Sequence, residues 1–451
     1  MTPSRDISFS SADRAAAGGW LSRYRYVVAA ADQIANSLLN FGLTFALLRI
    51  LSTMEFGTIS LWLAVANLAI SVHTALVGAP LGIHLPAETD ETRRRRLAEA
   101  MASVNLLLAL GTVTLVLIAN GVVGDADWAP KTPLAAAMIP LFIGAGLFRE
   151  YYRSIAFGQH DMALLLAIDT PYLVVTTGCI AAMLLSPRQF AGLTGAFVAL
   201  AAGMTIGPLC GFWRVRRRDA RPLRRGWFAA YRGISNDTGW ALTGVVFAHV
   251  QERSYVYVIA SFVGLAEVGA LNAVAMLFRP GQILLTAWRR SALPELATLF
   301  AEGRLAEVDR RLLSALVIAL GGCAAWFAAL WAGWQLIATH LFAGKYPDAF
   351  LLLLPWATAV ACDTVDFILS ATLQAAREFR YLACATLVSA PTSAAAVVAL
   401  TLWHGYTWTI YGLAVGNGLS ALMFGMRLLA VRRRLAAAAP AAELPRPAGL
   451  S

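Results

Sequence analysis

The chain alternates between long apolar runs and short polar breaks. Twelve apolar segments stand out, at 27–48, 58–83, 98–120, 133–149, 162–185, 190–212, 235–261, 266–288, 312–335, 347–370, 380–402 and 408–430. A run of about 20 apolar residues is long enough to cross the hydrocarbon core of a bilayer as a helix. The pattern therefore predicts an all-α integral membrane protein with twelve transmembrane helices, and the breaks are too short to hold a catalytic domain outside the membrane. Composition supports this, since 59% of the 451 residues are hydrophobic, only 14% are charged and the mean hydropathy is +0.64. Soluble domains do not have such a balance. Residues 1–26 lack the apolar core of a secretory leader, so the first span is expected to be an uncleaved anchor.

Charge sets the orientation. With the N-terminus on the cytoplasmic side, 30 of the 36 basic residues fall on that side and 4 on the other, while Arg253 and Arg279 lie within spans. This asymmetry predicts that both termini are cytoplasmic. It also removes the nucleic-acid reading that a net charge of +10 invites, because the basic clusters are short loops beside lipid head groups. The five cysteines all sit in apolar segments without metal-ligand spacing, so they read as small core residues.

The chain also repeats itself. Leu51-Ser52-Thr53-Met54-Glu55-Phe56-Gly57 and Val263-Gly264-Leu265-Ala266-Glu267-Val268-Gly269 share Glu-x-Gly at an offset of 212. Leu85-Pro86 with Arg96-Leu97-Ala98-Glu99 recurs as Leu293-Pro294 with Arg304-Leu305-Ala306-Glu307 at an offset of 208. Each copy holds six predicted spans, and an even number returns the chain to its starting side. The expected architecture is two parallel six-helix lobes around a central cavity. Its boundaries are a cytoplasmic tail at 1–26, an N-lobe at 27–212, a basic linker at 213–234, a C-lobe at 235–430 and a cytoplasmic tail at 431–451.

Polar residues inside the spans are the candidate chemistry. Charge at membrane mid-depth is costly unless it is paired or reaches water. In the first span Asp32, Asn36 and Asn40 recur every fourth residue, and Gln33, Ser37 and Thr44 extend that stripe. In the seventh, His249, Glu252 and Arg253 share one arc. Both sets read either as the lining of an aqueous cavity or as hydrogen-bonded glue between helices. Arg279 precedes Pro280-Gly281 in the eighth span and is either an anion contact or a structural arginine. Asp363 and Asp366 share a face of the tenth, and with Asp32 and Glu252 they are the carboxylates available to couple a proton or cation. No phosphate-binding loop, GxSxG turn, metal-ligand cluster or cofactor motif is visible, so no cofactor is expected and transport must draw on an ion gradient, the membrane potential or product removal.

Several stretches taken together resemble a known family. Asp32-Gln33 leading to Asn40-Phe41, Leu48-Arg49-Ile50-Leu51-Ser52 with Glu55-Phe56-Gly57, Ala79-Pro80-Leu81, Phe148-Arg149-Glu150-Tyr151-Tyr152-Arg153 with Asp169, and Phe342-Ala343-Gly344-Lys345-Tyr346 are similar to the polysaccharide transporters. These belong to the multidrug/oligosaccharidyl-lipid/polysaccharide exporter superfamily. The chain departs from many members at Glu252, where Asp is common, and at Leu271, where Tyr is common. The resemblance implies twelve helices around a V-shaped cavity. It also implies flipping of undecaprenyl-diphosphate-linked oligosaccharide for exopolysaccharide, capsule or O-antigen, with membrane lipids, a polymerase and export machinery as partners. A multidrug or cation antiporter of the same superfamily is the alternative. Lipid II flippases resemble a fourteen-span plan instead.

Overall fold

The computed structural model describes residues 25–122, 132–159, 161–185, 192–215 and 222–438. Four sequence expectations lie outside the described residues: the N-terminal tail through residue 24, Lys131 and Arg188 on the sparsely charged side, the linker at 216–221, and the tail from 439. Among the described residues every regular element is helical. The chain clusters into two compact units, Met1–Val245 and Val246–Ser451.

The first unit contains α1 (Arg25–Ile50), α2 (Thr53–His73), α3 (Ala79–Ala87), α4 (Glu91–Val122), α5 (Pro133–Gly158), α6 (Met162–Leu185), α7 (Leu193–Val215) and the short α8 (Trp227–Arg232). The turn of π-helix at Thr74–Gly78 joins α2 to α3 without a break. Then follow α9 (Ser235–Phe262), which crosses the boundary between units, α10 (Leu265–Ala301), α11 (Leu305–Ala332), α12 (Leu353–Ala375), α13 (Phe379–His404) and α14 (Thr409–Ala438). Ten helical segments among the described residues are long and apolar enough to cross a membrane, which makes this a multi-pass membrane protein. The two long helices outside those ten are α1 and α9, of 26 and 28 residues. They are the first and seventh predicted spans, and they carry the two polar stripes that stood out in the sequence.

Element ends follow local chemistry. Ser52 caps α2, accepting from the Glu55 amide at 3.3 Å, while the Glu55 carboxylate accepts from the Ser52 amide at 2.9 Å. This reciprocal box satisfies two amides that would otherwise be orphaned. Glu55 also accepts from the amide of Leu193 at 3.1 Å, so it fixes the start of α7 as well. In the second copy of the Glu-x-Gly motif, Gly264 precedes α10 at φ +156° and Glu267 folds back over it. Both copies therefore begin a helix with the same glutamate. The eighth predicted span, 266–288, is longer in the structure: α10 continues for 37 residues to Ala301, through Pro280 and Pro294. Hydrophobicity marks where a span meets lipid, and here the helix continues past that limit even through Pro294, as proline in a helix interior can kink a helix without ending it.

Glycine spacing sets the tightest contacts. On α7, Gly203, Gly207 and Gly211 recur every fourth residue against α6 and α5, and a Cβ on Gly207 would sit 3.0 Å from the Ile168 carbonyl oxygen. On α14, Gly412 and Gly416 do the same against α13, where a Cβ on Gly412 would sit 2.5 Å from the Val397 nitrogen. Ser393 Oγ donates to the Gly412 carbonyl across that seam at 3.1 Å. Small residues let backbones approach closely in a medium where burial of apolar surface gives helices no reason to associate.

Candidate functional site

In the first unit the polar stripe of α1 meets α5 and α6. Asp32 and Asn36 are buried. Arg149 of α5 donates to Asn36 Oδ1 at 2.6 Å and to Asp169 Oδ1 of α6 at 2.5 Å. Arg153, one turn further along α5, donates to Asp169 Oδ2 at 2.9 Å, to Glu150 at 3.1 Å and to Asp32 Oδ2 at 3.4 Å. Asn36 Nδ2 closes the network on Asp32 Oδ1 at 3.2 Å. The Arg149 guanidinium lies 3.7 Å from the centroid of the Tyr172 ring, and Tyr172 donates to Asn40 Oδ1 at 3.4 Å. Two guanidiniums thus face three carboxylates, with Asp169 fully buried between both arginines. An unpaired charge here would be prohibitive, so the pairing is what makes this burial tolerable. Gln33 is exposed and stands outside the network.

This corrects the charge tally. Arg149 and Arg153 counted as cytoplasmic on sequence, because they close an apolar run. Arg149 is only 5% exposed, and its charge belongs to Asp169 rather than to solvent. The signal was present: two arginines one helical turn apart need an acidic partner, and Asp169 sits just before Pro171 in the next helix.

The second unit is built differently. Its polar side chains surround a cavity of about 290 Å³ between α9, α10, α12 and α14. Glu252 and Arg253 enter from α9, Arg279 and Gln282 from α10, and Asp363 from α12. Within the described residues, Glu252, Arg253 and Asp363 form no ion pair closer than 4.0 Å. The wall is organised by neutral groups. Gln251 donates to Asn417 at 2.8 Å and accepts from Ser389 Oγ at 2.8 Å. Tyr255 donates to Asn272 at 3.0 Å and packs edge-on against Trp356, with ring centroids 5.5 Å apart. The indole N–H of Trp356 is buried, lines the cavity region and has no hydrogen-bond partner.

Two residues expected at this site stand apart from its lining. His249 pairs with Tyr257 through its Nε2, 2.9 Å from the hydroxyl, on the same helix. Asp366 follows Asp363 by one turn, and its Oδ1 is buried without a hydrogen-bond partner. Asn272, Gln282, Trp356 and Asn417 are lining residues that sequence reasoning passed over. Trp356 and Asn417 are single polar residues in their helices and carry no pattern on their own, whereas Asn272 and Gln282 lie on the face of α10 that carries Arg279. Among the described residues no group of three or more His, Cys, Asp or Glu side chains is placed to hold a metal ion.

The arrangement of helices is shared with solved transporters. An inward-facing multidrug resistance MATE family transporter of the MOP superfamily matches with a TM-score of 0.67 at 13% identity, over 89% of this chain and 94% of that one. The lipid II flippase MurJ, in an inward closed conformation, matches with a TM-score of 0.67 at 10% identity, over 90% of each chain. The fold is therefore that of the MOP-superfamily transporters. No curated protein sequence matches the chain. A family model described as polysaccharide biosynthesis protein matches residues 26–300, and the chain belongs to that family. The matched region contains the whole paired network of the first unit and the Glu252, Arg253 and Arg279 wall of the second.

Proposed function

We propose that the protein is a flippase that moves undecaprenyl-diphosphate-linked oligosaccharide across the bacterial inner membrane by alternating access. It feeds polymerisation of exopolysaccharide, capsule or O-antigen. In this reading twelve helices form two parallel lobes around a central cavity, with both termini cytoplasmic. The observation that carries it is the 290 Å³ cavity, where Arg253 and Arg279 stand beside Asn272, Gln282, Asn417 and an unpartnered Trp356 indole. Guanidinium forks match diphosphate oxygens, and amides with an aromatic face suit sugar hydroxyls and rings. Glu252 and Asp363 share the space, with Asp366 one turn away, and are the groups to carry a coupling proton or cation. Asp32 is held by Arg153 and Asn36, which supports a structural role for it instead.

The test is genetic and quantitative. Arg253→Ala and Glu252→Gln should abolish surface polysaccharide while protein abundance in the membrane stays at the wild-type level. Normal polymer from both variants rules the assignment out.

A multidrug or cation antiporter remains the second reading, favoured by Glu252 and Asp363 in the same cavity. Two arginines oppose a cationic substrate. A deletion strain that becomes drug-sensitive while keeping its polysaccharide would select the antiporter.

A further inference from the structure

The polar cavity has an apolar neighbour within the same unit. A groove of about 700 Å³ runs between α10, α11 and α12, lined by residues that include Pro280, Gly281, Leu284, Trp288, Ile318 and Trp326. Phe278, Leu285 and Val360 line both spaces. The division falls within one turn of α10: Arg279 borders the cavity, and Pro280 and Gly281 border the groove.

That turn is held open by its own chemistry. Pro280 has no N–H to give the carbonyl one turn back, so the backbone ladder is interrupted. Trp326 of α11 donates its indole N–H to the Leu277 carbonyl at 2.9 Å and ties the two helices together there. Gly281 and Gly322 keep the groove wide, since a Cβ on either would meet nothing within 4 Å. With Ala315 and Ala319, Gly322 gives the α11 wall a row of small residues spaced about one helical turn apart. The charges at the groove, Arg311 and Glu295, satisfy each other at 2.7 Å. They attract no head group, so the cationic end of the combined space is the arginine cavity.

A ligand that fills both spaces is anionic at one end and hydrocarbon at the other. A soluble sugar phosphate leaves the groove empty. We infer that the groove seats the isoprenoid chain of a polyprenyl-diphosphate substrate while its head occupies the Arg253–Arg279 cavity. The wall of small residues accepts methyl branches, which a straight acyl chain lacks. This inference rests on the flippase reading above and adds to it a place for the tail.

The experiment compares binding of farnesyl diphosphate and undecaprenyl diphosphate to the purified full chain in nanodiscs. The long chain should bind tighter by about tenfold or more, because each extra buried methylene adds to affinity. Gly322→Phe and Ala315→Phe fill the groove from open positions and should bring that ratio close to one, with farnesyl diphosphate affinity unchanged. Arg253→Ala should weaken both ligands. The inference is overturned if wild type shows no chain-length preference, or if both groove variants retain it. It is equally overturned if a two-chain phospholipid loses as much affinity as the polyprenyl lipid, which makes the groove an ordinary lipid site. Failure of wild type to bind either diphosphate overturns the flippase reading as well, so the two failures are distinguishable.

Discussion

Buried charges are handled in opposite ways by the two units. In Met1–Val245 they find one another: Arg149 and Arg153 grip Asp169, Asp32 and Glu150 at hydrogen-bonding or ion-pair distance. In Val246–Ser451, Glu252, Arg253, Arg279 and Asp363 stand around a cavity whose order comes from neutral pairs such as Gln251–Asn417 and Tyr255–Asn272. The difference teaches that an ionisable residue within a span does not by itself mark a binding surface. What decides is whether its partner is already supplied by a neighbouring helix. By that measure the first network holds three helices together, while Glu252, Arg253 and Asp363 of the second have no ion-pair partner among the described residues.

The largest effect should come from breaking the first network. Arg149→Ala leaves the Asp169 carboxylate buried without one of its two arginines, at a cost of about 3–5 kcal/mol. The protein should largely disappear from the membrane, or melt at markedly lower temperature in detergent. Arg149→Met combined with Asp169→Leu should recover part of the loss. A wild-type melting curve for the single variant would sink the idea of a lock.

Next in size are the glycine seams. Gly412→Leu should cost about 1–3 kcal/mol by overpacking α14 against α13. Gly207→Ala in the first unit should cost less than Gly412→Ala, because its added methyl meets its neighbour at 3.0 Å rather than 2.5 Å. Thermal melting of the purified variants checks the order.

Smaller still in stability, but decisive for activity, are changes at the cavity. Asp363→Asn should keep the fold to within about 0.5 kcal/mol, since the amide oxygen can still accept from Gln282, yet reduce surface polymer. If it unfolds the protein, the second unit is a lock like the first and the contrast fails. The smallest effect belongs to Arg304, whose forks to Glu307 at 2.6 Å and Glu302 at 2.7 Å are exposed to solvent. Arg304→Ala should leave melting temperature and polymer unchanged.

Much of this was legible in the sequence, and the gaps have physical causes. Period and length reveal a helix in lipid directly, so the helical, multi-pass character and ten of the spans could be read without coordinates, while the Glu55 and Glu267 stretches were visible only as a repeat and not as helix starts. The stripe on α1 was equally plain, but a stripe says only that one face is polar. Whether that face meets water or an arginine depends on helices far away in sequence: Arg149 lies 113 positions beyond Asn36. Charge counting treated Arg149 as a solvated loop residue because a basic residue at the end of an apolar run looks the same whether it turns outward or inward. The cavity of the second unit was half visible through Glu252, Arg253 and Arg279. Trp356 and Asn417 are single polar residues in their helices and have no period to betray them, whereas Asn272 and Gln282 share with Arg279 a face of α10 that the sequence reading did not connect.

The seam between α13 and α14 has a mechanical consequence. With Val397 and Ser393 set against bare glycine backbone, the two helices have no slack to slide or twist past each other. They behave as one rigid pair. Any rearrangement within the second unit has to run along the edges of that pair, because its middle offers no joint.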